Sequence, residues 1–124
     1  KEDIILDEVA ILNPNQKIIK VTSSDIKKSN YILRLNSQEI ELPLHIRYRK
    51  NSDAMTIKNL NGSKKLKDIF INEKIELSKR DTWPIVVDNK DNILWIPGVK
   101  KSNFDKNIDE SYDIIYKYVI SEEN

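Results

Sequence analysis

The sequence predicts an α+β fold, mostly antiparallel β-sheet or sandwich with one principal helix at about residues 62–75. Short apolar runs rich in Ile and Leu, turn residues between them and a single stretch of helical periodicity carry that prediction. The 124 residues are enough for one core but not for two large ones.

Ile4-Ile5-Leu6 and Val9-Ala10-Ile11-Leu12 are strand candidates, followed by the turn signal Asn13-Pro14-Asn15 and a further strand at Lys17–Val21. The polar stretch 23–30 reads as a loop. Tyr31–Leu35 and Ile40-Glu41-Leu42 are expected as strands around the Asn36-Ser37-Gln38 turn. Leu44–Arg49 alternates strictly, which points Leu44, Ile46 and Tyr48 one way and His45, Arg47 and Arg49 the other. Leu66, Ile69 and Phe70 recur at helical spacing, and Asn61 or Ser63 can cap that helix. Ser78–Asp81 has capping-box spacing and predicts a short helical turn, stopped by Trp83-Pro84. Ile85–Val87 and Ile93–Ile96 predict a hairpin through Asp88–Asn92, ended by Pro97-Gly98. The last apolar segment, Tyr112–Ile120, is rich in aromatic and β-branched residues and is expected as a strand, with a helix as the alternative. In domain terms, a β-rich segment 1–42 precedes a unit at 43–124, the two forming one compact whole.

Composition narrows the function. No run approaches the roughly 20 apolar residues of a membrane span, and the chain has no Cys, which removes disulfides, thiolate metal sites and cysteine nucleophiles. A cytoplasmic location is the expectation. The start, Lys1-Glu2-Asp3-Ile4, without an initiator Met, reads as a boundary inside a longer product. Net charge is +1, but residues 1–44 sum to −1, 45–83 to +5 and 84–124 to −3. The basic middle third is therefore a candidate phosphate-facing surface, against the blander alternative of solvated lysines.

Catalytic signals are sparse. His45 is the single histidine and has no Cys partner, and no carboxylate spacing matches a metal loop. Gly62-Ser63-Lys64-Lys65 has the outline of a phosphate loop, but Ile57 stands where the first glycine is needed. The Asn61-Gly62-Ser63 glycosylation match is read as chance. The binding signal is stronger. Gly62 opens the backbone at the expected helix start, and Lys64 and Lys65 add charge in a first turn where cations are unfavourable without an anionic partner. Trp83 and Trp95 are candidates for base stacking, with core packing as the commoner role.

Three ordered motifs are specific: Gly62–Ile75, Arg80-Asp81-Thr82-Trp83-Pro84 and Ile93-Leu94-Trp95-Ile96-Pro97-Gly98. With Pro43–Arg49 ahead of them, they closely resemble the C-terminal domain of bacterial tRNA(Ile)-lysidine synthetase over residues 43–102. The resemblance implies a fold similar to a domain of the phenylalanyl-tRNA synthetase β-subunit. It also implies a parent enzyme, an ATP-dependent ligase that joins lysine to the wobble cytidine of isoleucine tRNA with a CAU anticodon. That chemistry belongs to an N-terminal domain of the same polypeptide, which uses ATP and carries a Ser-Gly-Gly-x-Asp-Ser loop absent from this chain. The fragment itself is then non-catalytic, holds no cofactor or metal, and binds tRNA around the acceptor end. A homodimer is left open, and a scaffold role without independent RNA binding is the alternative. Lys64, Lys65, Lys67, Lys74 and Arg80 match as phosphate contacts, and Arg47 and Arg49 join them on the alternating strand. Phe70, Asp68, Trp83, Trp95 and Gly98 match as mainly structural or stacking residues, with Asp68 expected to orient Lys65 or Arg80. The chain departs from the family at Ser52-Asp53-Ala54, where Gly-Asp-Arg is common, and at Asn72, where Asp is usual. Loss of that Arg would strand the Asp53 carboxylate if the two normally pair.

Overall fold

Pairing of the apolar runs divides most strands between two antiparallel sheets in the computed structural model, which describes residues 3–121. The Lys1-Glu2 start lies outside the described residues. One sheet has the order β1 (Ile4–Leu6), β5 (Leu44–Arg47), β8 (Ile85–Val87), β9 (Ile93–Ile96), β10 (Lys100–Lys101). The other runs β2 (Val9–Asn13), β3 (Gln16–Val21), β11 (Ile114–Ile120), β4 (Ile32–Leu35). A separate hairpin pairs β6 (Ala54–Thr56) with β7 (Ser63–Lys65). Segments 1–42 and 43–124 are interleaved, because β1 pairs with β5 while β3 and β4 both pair with β11.

The first sheet is the middle of three layers. On one face Leu44, Ile46, Val86, Leu94 and Trp95 meet Ala10, Ile18, Leu33 and Tyr116 of the second sheet. On its other face Ile85, Val87, Ile93 and Ile96 pack against Met55 of β6 and against Leu66, Ile69 and Phe70. Burial on both faces is why β8 and β9 are unbroken apolar runs instead of alternating ones. Val86 opposes Trp95 and Val87 opposes Ile93, so Leu94 is an extra residue in its strand. This bulge turns Leu94 and Trp95 into one core and leaves Ile93 and Ile96 in the other.

The principal helix is shorter than expected. The segment Ser63–Lys65 is strand, and α1 spans Leu66–Asn72 with Lys65 at the N-cap and no side-chain cap from Asn61 or Ser63. The hairpin wins these residues because their backbone pairs with Ala54–Thr56, and the Leu66 N–H donates to the Asp53 carbonyl at 3.0 Å. Burying Leu66, Ile69 and Phe70 contributes roughly 1.5–3 kcal/mol per side chain. The predicted turn near Ser78 is present as α2 (Leu77–Arg80), entered from Glu76 instead of Ser78.

The expected strand Ile40–Leu42 is absent. Ser37–Glu39 forms a 3-10 turn capped by the Asn36 side chain, which accepts from the Gln38 N–H at 2.9 Å. Glu41 then bonds the β8–β9 turn: its N–H donates to Asp88 Oδ2 at 3.1 Å and its carbonyl accepts from the Asn89 N–H at 2.7 Å. Asp88 is 1% exposed, and its carboxylate also accepts from the N–H groups of Lys90 and Asn92. One buried acid therefore closes the hairpin and ties a preceding loop to it.

The end of α1 holds strain. The Ile75 N–H donates to the Phe70 carbonyl and the Lys74 N–H to the Ile71 carbonyl, each at 3.0 Å. This is a Schellman closure whose left-handed position, usually glycine, is Lys74 at φ +58°. Lys74→Gly is expected to stabilise the chain by about 1 kcal/mol, because it removes the Cβ conflict at a small entropic cost. Thermal unfolding should show a rise in Tm of about 3–5 °C.

Candidate nucleic-acid interface

The basic middle third forms the outer layer over the second core, and most of its charge is left without a carboxylate partner. Among the described residues, Lys64, Lys65, Lys67, Lys74 and Arg80 form no ion pair. Lys64, Lys65, Lys67 and Lys74 are exposed. Lys64 and Lys65 are consecutive residues of β7, so their side chains point to opposite sides and do not form a cradle at a helix start. Lys67 stands on α1 and Lys74 just past it. Arg80 is half-buried, and its Nε donates to the Ile75 carbonyl at 2.8 Å, which leaves its outer nitrogens beside the end of α1. Asp68, the acid in the first turn of α1, pairs with neither Lys65 nor Arg80 among the described residues.

The two arginines of the alternating segment behave differently. Arg47 cannot serve as a phosphate contact. Its side chain is 4% exposed, and its guanidinium donates to Asp53 at 2.8 and 3.0 Å, to Asp91 at 3.0 and 3.2 Å, and to the Tyr48 carbonyl. The alternation was correct, but the face it points to is the second core and not solvent: Arg47 lies opposite Ile85 across the sheet. Asp53 is therefore not stranded by Ala54. Arg49 lies 5.6 Å above the Phe70 ring and pairs with Asp81 at 3.0 Å, so its charge is partly compensated.

Charge placement confirms the clamp around Arg47. Burial pushes the Asp53 carboxyl up, but the hydrogen bonds from Arg47 and from the Lys50 N–H, with the Arg47 charge, outweigh it and hold the group below its ordinary value. For Arg47, burial works against the charged form, and the bonds and charges of Asp53 and Asp91 overcome it.

The aromatic candidates are mainly structural. Trp95 and Phe70 are fully buried, at 0% exposure each, so neither can stack on a base. The Trp95 Nε1 donates to the Asn30 carbonyl at 2.8 Å. Trp83 is half-buried, with its Nε1 donating to the Pro97 carbonyl at 3.0 Å. Gly98, at φ +78°, lies so close to Tyr118 that an added Cβ would meet the ring at 3.2 Å. His45 is bonded through Nε2 to Asn89 Oδ1 at 3.0 Å.

One cluster escaped the sequence reading. Asp105, at 4% exposure, accepts from the Arg34 N–H, pairs with Lys101 at 3.0 Å and also pairs with Lys58. Burial lowers the Lys101 ammonium from its ordinary value, with the Asp105 charge acting against that. Lys101 and Asp105 are four residues apart, but Arg34 and Lys58 come from distant segments, and no motif links them. They lock β4, β10 and the segment after β6 together.

A three-layer α+β sandwich with a lysine-bearing outer layer is the class that fold and site define. The chain belongs to the TilS substrate C-terminal domain family, whose model matches residues 44–114. It is 43% identical over 116 residues to the tRNA(Ile)-lysidine synthase of Bacillus subtilis, covering 90% of this chain and 24% of that protein. It is 49% identical over 79 residues to the Bacillus licheniformis tRNA(Ile)-lysidine synthase, covering 64% and 17%. The bifunctional protein TilS/HprT of Listeria monocytogenes is 42% identical over 106 residues, covering 85% and 16%. The chain thus spans less than a quarter of the length of these relatives. A crystal structure of a TilS C-terminal domain superposes with a TM-score of 0.86 at 34% identity, covering 98% of both chains. An N-terminal fragment of the phenylalanyl-tRNA synthetase β-subunit from Pyrococcus horikoshii shares the fold, with a TM-score of 0.55 at 16% identity over 74% of this chain and 28% of that one.

Arg47→Ala leaves the nearly buried Asp53 carboxylate without its cation, while the half-exposed Asp91 can turn to water, and a loss of roughly 3 kcal/mol is expected from removing one partner of a buried pair. Lys64→Ala should stay within about 0.5 kcal/mol, as an exposed change. Urea unfolding of both variants separates the structural arginine from the displayed lysine. The Asp53 contribution is full above its ordinary pKa of 3.8 and is lost as the pH falls below it, so the stability gap between the native chain and Arg47→Ala should close in acid.

Proposed function

We propose that this chain is the non-catalytic, tRNA-gripping C-terminal domain of a tRNA(Ile)-lysidine synthase. The parent enzyme joins lysine to the wobble cytidine of isoleucine tRNA with a CAU anticodon. ATP is consumed in a catalytic N-terminal domain of the same cytoplasmic polypeptide. The observation that carries the reading is a run of cations without ion pairs among the described residues, exposed Lys64, Lys65, Lys67 and Lys74 and half-buried Arg80, along β7, α1 and α2. Such a surface meets the phosphates of a folded RNA by charge, with counterion release as the driving term.

A scaffold reading draws on a different observation. Val9 and Ile11 on the second sheet are 51% and 70% exposed, an apolar patch suited to another part of the polypeptide. Salt separates the two, because an apolar contact is nearly insensitive to it.

Binding of the chain to unmodified isoleucine tRNA with a CAU anticodon is expected in the micromolar range at low salt. Its log–log salt slope should be about 0.9 per phosphate neutralised on a duplex. Lys64→Ala/Lys65→Ala should weaken binding and reduce the slope by about two contacts. Absent binding at low salt, or an unchanged slope in the double variant, would favour the scaffold.

A further inference from the structure

Two adjoining clefts form a groove at one end of the sandwich, between the two sheets and α2. Its two parts hold about 460 and 550 Å³ and share Asn13, Gln16, Thr82 and Pro84 as walls. Its lining differs from that of the other clefts. Asp or Glu side chains line the clefts at Glu39 and Asp91, at Glu8 and Asp113, and at Asp7. No carboxylate among the described residues lines this one.

What the groove offers instead is aromatic surface, amide groups and cationic rims. Tyr31 stacks on Tyr118 with ring centroids 5.5 Å apart and planes at 14°, and Tyr31 remains 43% exposed. Tyr118 is buried beneath it, held close by Gly98, so the exposed tyrosine rests on a fixed platform. Trp83 lines the same cleft, its ring orientation fixed by the bond to the Pro97 carbonyl. The Gln16 Oε1 accepts from Asn13 Nδ2 at 3.1 Å, while the Gln16 amide nitrogen donates to no group among the described residues. Lys79 lines the rim, loosely paired with the exposed Glu76 at 3.7 Å, and Arg80 holds the carbonyl of Ile75, another wall residue. The groove thus adjoins the lysine-bearing layer.

We propose that this groove takes an unpaired stretch of RNA, with bases stacking against Tyr31 and Trp83, an amide of Gln16 reading a base edge, and phosphates meeting Lys79 and Arg80. The inference rests on the reading of the chain as an RNA binder and adds that duplex and unpaired RNA occupy different surfaces. Planar aromatic faces with free amides suit bases that are not already stacked, whereas displayed lysines suit the backbone of a duplex. A negatively charged peptide would find the same rim, but it would leave the tyrosine platform and the Gln16 amide unused.

The test uses an unpaired hexaribonucleotide of alternating adenosine and cytidine, and a six-base-pair RNA stem as control. Trp95 is fully buried, so fluorescence quenching on base stacking reports Trp83. The hexamer should quench and saturate while the stem should not, and Trp83→Phe should abolish the signal. Tyr31→Ala should weaken hexamer binding about tenfold, with Tyr31→Phe retaining it. Because Tyr31→Ala also disturbs the packing of Tyr118, Lys79→Glu, an exposed change, carries the same test without touching a core and should weaken the hexamer severalfold. Lys64→Ala/Lys65→Ala should weaken the stem and leave the hexamer unchanged. Absence of saturable quenching by the hexamer, or hexamer binding indifferent to Lys79→Glu, overturns the groove while salt-dependent tRNA binding keeps the broader function standing. Failure of tRNA, stem and hexamer alike removes both. Quenching by a proline-rich peptide but not by the hexamer assigns the groove to a polypeptide and overturns the proposal.

Discussion

The strand pair β8–β9 is buried on both faces, and every other part of the molecule follows from covering it. Seven residues, Ile85–Val87 and Ile93–Ile96, are all buried, so neither layer alone can shield them. The second sheet covers one face and the α1 layer the other. Leu94 is the pivot, because its bulge divides the strand's side chains between two cores. The basic surface is thereby fixed by apolar packing: Leu66, Ile69 and Phe70 face inward, and Lys67 and Asp68 are left outward by helical geometry.

Buried charge is used to fasten loops, not to perform chemistry. Arg47 joins Asp53, before the β6–β7 hairpin, to Asp91 in the β8–β9 turn. Asp88 gathers backbone donors from its own turn and from Glu41. Asp105 gathers Arg34, Lys58 and Lys101. Arg47, Asp88 and Asp105 are each surrounded by partners, which is the condition under which burying them is tolerable. Lys64, Lys65, Lys67 and Lys74 lie outside these clamps, exposed and without a carboxylate partner among the described residues, and Lys17 and Lys117 on the opposite sheet share that state.

Much of the fold was legible where burial was one-sided or total. The runs at Ile4, Val9, Lys17, Tyr31, Ile85, Ile93 and the final segment all became strands near their expected limits. The β6–β7 hairpin was not legible: Ala54–Thr56 and Ser63–Lys65 lack an apolar alternation, and two lysines before Leu66 read as helix. Strand pairing decided those residues, a term that no local pattern contains. Ile40–Leu42 failed for the same reason in reverse, since its apolar residues find no neighbouring strand and its backbone bonds the β8–β9 turn. At the candidate site, the exposed lysines were readable as charge concentration. The roles of Arg47 and Arg49 were not, because Asp91 lies 44 residues from Arg47 and Asp81 lies 32 from Arg49. The Tyr31–Tyr118 platform was equally hidden, as its rings meet only through the pairing of strands from opposite ends of the chain.

The most direct test of the lysine-bearing layer as the tRNA grip is a lysine-acetylation footprint read by mass spectrometry, with and without isoleucine tRNA carrying a CAU anticodon. Lys17 and Lys117 are exposed on β3 and β11, where Ile18, Tyr116 and Tyr118 point inward, so they lie on the side of the molecule opposite α1. Protection of Lys64, Lys65, Lys67 and Lys74, with Lys17 and Lys117 modified as in the free chain, is the expected result. Protection centred on Lys17 and Lys117, or spread evenly over both sides, would contradict it.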